Sequence, residues 1–134
     1  MRILCIEDNP GNQKVIATML KQLDAEIVMV SSSKEGLILL LDPHEVFDVA
    51  LIDVGMPEMS GVEIVKAVRA HPDPRVNQAK LFALTAHAAV DDRDEAIAAG
   101  FDAYILKPIN PRTFTSTIEK LLRDSDTSNA EAPF

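Results

Sequence analysis

The sequence predicts a doubly wound α/β fold, in which helices cover both faces of a five-stranded parallel sheet. Apolar segments alternate five times with segments of helical periodicity along the 134 residues. Several of these segments are apolar throughout rather than at every second position, as expected for strands covered on both faces. Right-handed crossovers between such strands produce a doubly wound sandwich.

The predicted strands are short and apolar. They cover residues 2–6, 26–30, 48–52, 80–84 and 103–106. Cys5 lies within the first strand, where a small buried hydrophobic residue is expected ahead of a reactive thiol. Because it is the only cysteine, the chain forms no internal disulfide.

Five helices are predicted, and most have a recognisable start or stop. Proline is favoured in the first turn of a helix, serine three residues before glutamate matches the capping-box spacing, and glycine commonly ends a helix. The predicted positions are a start after Asn9-Pro10, caps at Ser32 and Ser60, a fourth helix over residues 88–99 that stops at Gly100, and a start at Asn110-Pro111.

Composition and charge exclude several classes of protein. The apolar fraction of 47% and the charged fraction of 25% are ordinary for a globular domain. No apolar segment approaches the ~20 residues that span a bilayer, and the N-terminal apolar segment is too short for a signal peptide. We therefore expect a cytoplasmic protein without membrane insertion. The net charge of −8 argues against nucleic acid as a direct partner.

The C-terminal residues differ in composition from the rest of the chain. Residues 124–134 are polar and lack periodicity, so we expect a loosely ordered tail or linker after a single domain at residues 1–123. The tail fits a boundary within a longer protein as well as a native end.

Polar residues follow four of the predicted strands. In an open parallel sheet, ligands bind outside the carboxyl ends of the strands. A strand-terminal acid is often only a turn or cap residue, but chance seldom places so many polar groups at one edge. The residues at these strand ends are Glu7 and Asp8, Asp53, Thr85, and Lys107.

Three carboxylates at one edge indicate a cation site. They repel one another and raise one another's pKa unless a cation neutralises them. Oxygen ligands favour a hard ion such as Mg²⁺ or Mn²⁺. Such an ion, with the Lys107 ammonium and the Thr85 hydroxyl, can contact three oxygens of a phosphoryl group. These three groups together are suited to phosphoryl transfer.

Asp53 is the predicted nucleophile, because it stands alone at its strand end in the middle of the cluster. Glu7 and Asp8 are adjacent and are better placed to hold the metal. Gly55 leaves its backbone carbonyl unshielded for the same ion.

These motifs together resemble the response-regulator receiver domain of two-component signalling, the CheY-like family. The resemblance covers residues 2–123 and rests on "CIEDNP", "LIDVGMPEMSG", "ALTA" and "YILKP" in this order and spacing. It implies a flavodoxin-like sheet with strand order 2-1-3-4-5.

The resemblance also implies roles for individual residues. Asp53 would accept a phosphoryl group from a histidine kinase or a histidine phosphotransfer protein. Lys107 would contact that group, and its bond to Pro108 would be cis. Thr85 would move toward the phosphoryl group and Tyr104 would turn inward, which couples Asp53 to the face of the fourth helix, fifth strand and fifth helix. The implied metal ligands are Glu7, Asp8, Asp53 and the Gly55 carbonyl.

Two positions beside the predicted site, Gly55 and His87, carry residues that differ among members of the family. Gly55 has no side chain, whereas many relatives carry a larger group there. His87 occupies a position that tunes phosphoryl lifetime in the family, where it would either orient water or face solvent. The rate of dephosphorylation therefore stays open.

Three hypotheses follow for the function. The first is a phosphorylation-dependent binding module, acting alone or as a phosphorelay intermediate, that carries self-phosphorylation and autodephosphorylation chemistry but is not an enzyme. It would bind a downstream protein as a monomer or a weak phosphorylation-dependent dimer. The second is the receiver portion of a longer hybrid kinase or multidomain regulator. The third is an aspartyl-phosphate hydrolase of the haloacid dehalogenase type, but that family has a second aspartate where this chain has Gly55.

Overall fold

Five strands form one parallel sheet in the computed structural model, which describes residues 1–86, 90–107, 109–110 and 112–126, without the side chains of 90–92 and 124–126. The order is β2-β1-β3-β4-β5, as the sequence predicts. The strands are β1 (Arg2–Ile6), β2 (Glu26–Val30), β3 (Val49–Asp53), β4 (Leu81–Thr85) and β5 (Ala103–Leu106).

Strands β3 and β4 each begin and end one residue later than predicted. Asp53 pairs with Leu84 across β3 and β4, and Thr85 pairs with Leu106 across β4 and β5. The backbone ladder continues through these polar residues because its hydrogen bonds do not depend on side-chain polarity. Asp53 and Thr85 are therefore held by the sheet itself rather than by a following turn.

Six helices are described, one more than the five that the sequence predicts. They are α1 (Pro10–Leu20), α2 (Ser33–Leu41), α3 (Gly61–Arg69), α4 (Pro74–Asn77), α5 (Val90–Ala99) and α6 (Phe114–Asp126), with a 3₁₀ turn at Lys21–Leu23. The additional helix, α4, is a single turn between α3 and β4. Its start is capped by Asp73, whose carboxylate accepts from the Arg75 amide at 2.9 Å.

The predicted caps are present. Asn9, Ser32 and Ser60 each accept a hydrogen bond from the backbone N–H three residues later, at 3.0, 3.4 and 3.2 Å. Gly100 ends α5 with a φ of +126°, a conformation that favours glycine.

The last helix differs from its prediction at both ends. It begins at Phe114, after a turn in which Asn110 accepts from the Arg112 amide at 2.9 Å. Pro111 lies outside the described residues. The helix continues through Asp126, beyond the predicted start of the tail, since extending a formed helix by a few residues costs little.

Two apolar layers cover the sheet. One packs α2, α3, α4 and α5 against one face, and the other packs α1 and α6 against the opposite face. Cys5 is fully buried in the second layer, as predicted, and burial raises the pKa of its thiol to about 12. None of the described helices is long and apolar enough to cross a membrane.

Arg69, the last residue of α3, joins the end of that helix to the segments that precede β4 and β5. Its Nε donates to the Gly100 carbonyl at 3.0 Å, and one terminal nitrogen donates to the carbonyls of Asn77 and Ala79 at 2.8 and 2.6 Å. The other terminal nitrogen pairs with Asp102 at 3.0 Å. This guanidinium group fixes the C-terminal end of α5 against the sheet.

Candidate functional site

The carboxyl ends of four neighbouring strands bring the predicted site residues to one edge. Asp53 and Thr85 are the last residues of β3 and β4, and Glu7 and Lys107 directly follow β1 and β5. Glu7, Asp53 and Thr85 are buried polar residues, with 0%, 8% and 4% of their surface exposed. Polar groups buried to this extent require partners or a function.

Lys107 contacts two of the acids directly. Its Nζ donates to Oε1 of Glu7 at 2.9 Å and to Oδ2 of Asp53 at 3.0 Å. Only 18% of the Lys107 side chain is exposed, so these ion pairs are weakly screened by water. One ammonium group thus balances part of the charge of two buried carboxylates.

Burial and neighbouring charges move the pKa values of these groups in different directions. Burial raises the pKa of Glu7, the neighbouring Asp53 carboxylate raises it further, and Lys107 opposes both. Burial also acts to raise the pKa of Asp53, but its interactions with Glu7, Lys107 and the Gly55 amide outweigh burial, so the pKa of Asp53 is lowered. Asp53 therefore ionises more readily than Glu7 does.

The three predicted metal-binding acids lie together. Carboxylate oxygens of Glu7, Asp8 and Asp53 all lie within 4.8 Å of one another. Asp8 is exposed, so the group is open to solvent on one side. Oε2 of Glu7 is buried and has no hydrogen-bond partner among the described residues. An oxygen-only donor set with a buried free oxygen fits a hard divalent cation.

Gly55 lies beside the Asp53 carboxylate. Its backbone N–H donates to Oδ1 of Asp53 at 3.0 Å, so each Asp53 oxygen accepts one hydrogen bond. A Cβ atom added at Gly55 would lie 3.7 Å from Oδ1. A larger side chain at this position would therefore cover one side of the Asp53 carboxylate, whereas glycine leaves that side accessible.

Thr85 ends β4 at the site, and Tyr104 lies within the neighbouring strand β5. The Thr85 carbonyl accepts from the Lys107 amide at 2.7 Å, which fixes the strand end that carries the lysine. Tyr104 is already buried, with 8% of its surface exposed, and it pairs in register with Ala83 of β4. The predicted roles of His87 and Pro108 fall on residues outside the described ones.

Two residues at the start of α1 contact Glu7 and were not predicted. Asn12 donates from Nδ2 to Oε1 of Glu7 at 2.9 Å, and Gln13 donates from Nε2 to the Glu7 carbonyl at 2.6 Å. The available signal was the predicted helix start at Asn9-Pro10. A helix that begins directly after the acidic pair places its first turn against the same edge of the sheet.

Comparison with known proteins places the chain in a family. The family model described as the response regulator receiver domain matches residues 3–119. The sensor protein GacS of Pseudomonas syringae pv. syringae is 36% identical over 121 residues, which are 89% of this chain but only 13% of that protein. The regulator DivK of Brucella abortus is 31% identical over 123 residues, 92% of this chain and 97% of DivK.

A solved structure agrees with both results. The receiver domain of a sensor histidine kinase from Pseudomonas aeruginosa PAO1, with a magnesium ion coordinated in its active-site cleft, is 28% identical. It superposes with a TM-score of 0.77 over 91% of this chain and 97% of that domain. The relatives thus include receivers within long kinases and regulators of about this chain's length. Given its motifs, its sheet order and these matches, the chain belongs to the response regulator receiver domain family of two-component signalling.

Proposed function

We propose that Asp53 is the phosphoacceptor of this receiver and that its phosphorylation switches a protein-binding face. The observation that carries this proposal is the position of the Lys107 ammonium between Asp53 and Glu7. A cation held there favours an ionised Asp53 and lies ready for the oxygens of an incoming phosphoryl group.

The proposed reaction transfers the group from a phosphohistidine. The Asp53 carboxylate attacks the phosphorus, a P–O bond forms, and the electron pair of the broken P–N bond returns to the donor imidazole. The Lys107 ammonium stabilises the negative charge that develops on the phosphoryl oxygens, and the Thr85 hydroxyl donates to one of these oxygens. Autodephosphorylation is the attack of water on the same phosphorus, which restores Asp53 and releases phosphate.

The metal ligands of the proposal are Glu7, Asp8, Asp53 and the Gly55 carbonyl. When bound, Mg²⁺ or Mn²⁺ supplies charge neutralisation for carboxylate and phosphoryl oxygens. Support comes from the clustered carboxylates and from the buried, unpartnered Oε2 of Glu7.

The proposed output is a change in the face formed by α5, β5 and α6. Phosphorylation adds roughly −1.5 to −2 charges and new acceptor oxygens beside Thr85. The Thr85 hydroxyl would donate to phosphoryl oxygens that exist only in the phosphorylated state, which is the differential contact that a two-state switch needs. Tyr104 of β5 belongs to the apolar layer that contains α5. A downstream protein that binds this face would respond to the change.

The proposed donor is a histidine kinase or a histidine phosphotransfer protein. The chain spans only 13% of GacS, so the proposal concerns the receiver alone and not the activity of such long relatives. A phosphorelay receiver and the receiver portion of a longer kinase are therefore both within the proposal. We propose residues 1–123 as the receiver unit, which the match over residues 3–119 supports.

Phosphoryl uptake from a small donor tests the proposal. The protein is incubated with acetyl phosphate with and without Mg²⁺, and intact mass and released phosphate are followed together. A receiver gains one phosphoryl group per chain, only with the metal, and consumes little further donor. Steady consumption of many equivalents would instead indicate the hydrolase. No metal-dependent gain would contradict the proposal.

A further inference from the structure

The buried Glu7 carboxylate receives both of its side-chain hydrogen bonds on one oxygen. Lys107 and Asn12 each donate to Oε1 at 2.9 Å. Oε2 is equally buried and accepts from none of the described residues. This asymmetry leaves Oε2 as the oxygen available to a cation.

The two donors on Oε1 are not equivalent. Lys107 divides its ammonium group between Glu7 and Asp53, and in the proposed function it also contacts the incoming phosphoryl group. Asn12 is neutral, and the Glu7 carboxylate is the only contact described for its side-chain amide. Asn12 is therefore the donor that can hold Glu7 while Lys107 serves the reacting group.

Local structure keeps Asn12 in position. It lies in the first turn of α1, where its backbone N–H donates to the Asn9 side chain at 3.0 Å. The backbone of Glu7 is also fixed, because its N–H donates to the Val30 carbonyl at 3.0 Å and its carbonyl accepts from Gln13. Only the carboxylate of Glu7 depends on Asn12 for its orientation.

We propose that Asn12 is a positioning residue that orients Glu7 for metal binding, by occupying Oε1 so that Oε2 is presented to the cation. The inference rests on the proposed function, since it concerns the same metal site. A hydrogen bond to a carboxylate oxygen is among the stronger kinds, so it can hold the carboxylate in one orientation. Partners of this kind typically contribute about 10–100-fold to metal affinity.

Gln13 provides a matched control. It is also an amide residue of the first turn of α1 and also donates to Glu7, but to the backbone carbonyl rather than to the carboxylate. Gln13→Ala therefore removes a contact of similar kind without freeing the carboxylate. Alanine is the best helix former, so both alanine variants retain α1.

The test measures Mg²⁺ affinity by isothermal titration calorimetry in the unphosphorylated protein. We expect Asn12→Ala and Asn12→Ser to bind Mg²⁺ at least about tenfold more weakly than wild type. Gln13→Ala should stay within about twofold. In a Glu7→Gln background, adding Asn12→Ala should change affinity no further, because Asn12 acts only through the carboxylate. Thermal unfolding of each variant separates loss of fold from loss of affinity.

Two results would overturn the inference: wild-type affinity in the folded Asn12 variants, or an equal loss in the presence and absence of Glu7→Gln. The same wild-type preparation is assayed for metal-dependent phosphorylation. If wild type accepts the phosphoryl group but the Asn12 variants keep their affinity, only the positioning role fails. If wild type neither binds Mg²⁺ nor accepts the group, the proposed function fails as well.

Discussion

Lys107 places its Nζ atom 3.0 Å from Oδ2 of Asp53, although β4 lies between the two strands that carry them. The side chain reaches across the end of β4 and also contacts Glu7 beyond β3. A single cation thus connects the ends of three strands. This contact requires the parallel sheet, because only that topology brings these strand ends to one edge.

Removing this cation should slow phosphorylation of Asp53. Lys107→Ala takes away the group that balances developing negative charge, and we expect the rate to fall about 100-fold. The rate is measured by intact mass with acetyl phosphate and saturating Mg²⁺. Lys120→Ala, which removes an exposed lysine of α6, is the control for net charge. Equal rates for Lys107→Ala and wild type would remove Lys107 from the reaction.

Replacing Thr85 should separate phosphorylation from its structural response. Thr85→Ala lacks the hydroxyl that would donate to the phosphoryl group, so we expect uptake of phosphate without the change at β5 and α6. Thr85→Ser retains the hydroxyl and should respond as wild type does. Amide resonances of both elements, recorded before and after phosphorylation, report the result. A full response in Thr85→Ala would contradict the switch role.

Replacing the buried acid should stabilise the metal-free protein. In Glu7→Gln the amide Nε2 takes the place of the unpartnered Oε2 and can donate to Asp53, while the amide oxygen keeps the Lys107 contact. We expect the free energy of unfolding to rise by about 1 kcal/mol at neutral pH. Chemical denaturation in the presence of a chelator measures it.

The sign of the pH dependence follows from burial. Folded Glu7 has a pKa above its ordinary value of 4.5, so the folded chain keeps this proton where the unfolded chain releases it. The contribution of Glu7 to the free energy of unfolding of wild type therefore falls as the pH rises from the ordinary pKa toward the raised pKa of the folded chain. The advantage of Glu7→Gln should therefore be larger at neutral pH than below 4.5. Added Mg²⁺ should diminish it, because the ion stabilises wild type more. The same advantage under all conditions would contradict this explanation.

Arg69 should contribute to stability through its four hydrogen bonds. Arg69→Ala leaves the carbonyls of Gly100, Asn77 and Ala79 without this donor, and we expect a loss of about 2–3 kcal/mol in unfolding free energy. Arg75→Ala, which breaks an exposed ion pair with Asp73, should cause no measurable change. Similar stability of the two variants would show that the Arg69 contacts are not stabilising.

The sheet and the positions of its polar strand ends could be predicted from sequence. Runs that are apolar throughout indicate parallel strands, and a parallel sheet places Asp53 and Lys107 at one edge whatever their separation along the chain. The predicted ends of β3 and β4 lie one residue short, because a polar residue was expected to follow each strand rather than to belong to it. Asp53 and Thr85 pair within the ladder despite their polarity.

Other contacts could not be predicted from pattern. Arg69 and Asp102 are 33 residues apart, and nothing in their local sequence indicates that they pair. Asn12 lies on a predicted helix, where a polar residue ordinarily faces solvent. The short helix α4 did carry a local signal, Asp73 followed by Pro74, but a single turn gives no periodicity to detect.

The identity of the phosphorylated residue tests the central claim most directly. The chain is phosphorylated with acetyl phosphate and Mg²⁺, reduced with borohydride so that an aspartyl phosphate becomes homoserine, and digested for sequencing by mass spectrometry. The position of Asp53 should be the one converted, and Asp53→Asn should show no conversion. Conversion at Asp8 or at another acid, or undiminished conversion in Asp53→Asn, would contradict the assignment of Asp53 as the phosphoacceptor.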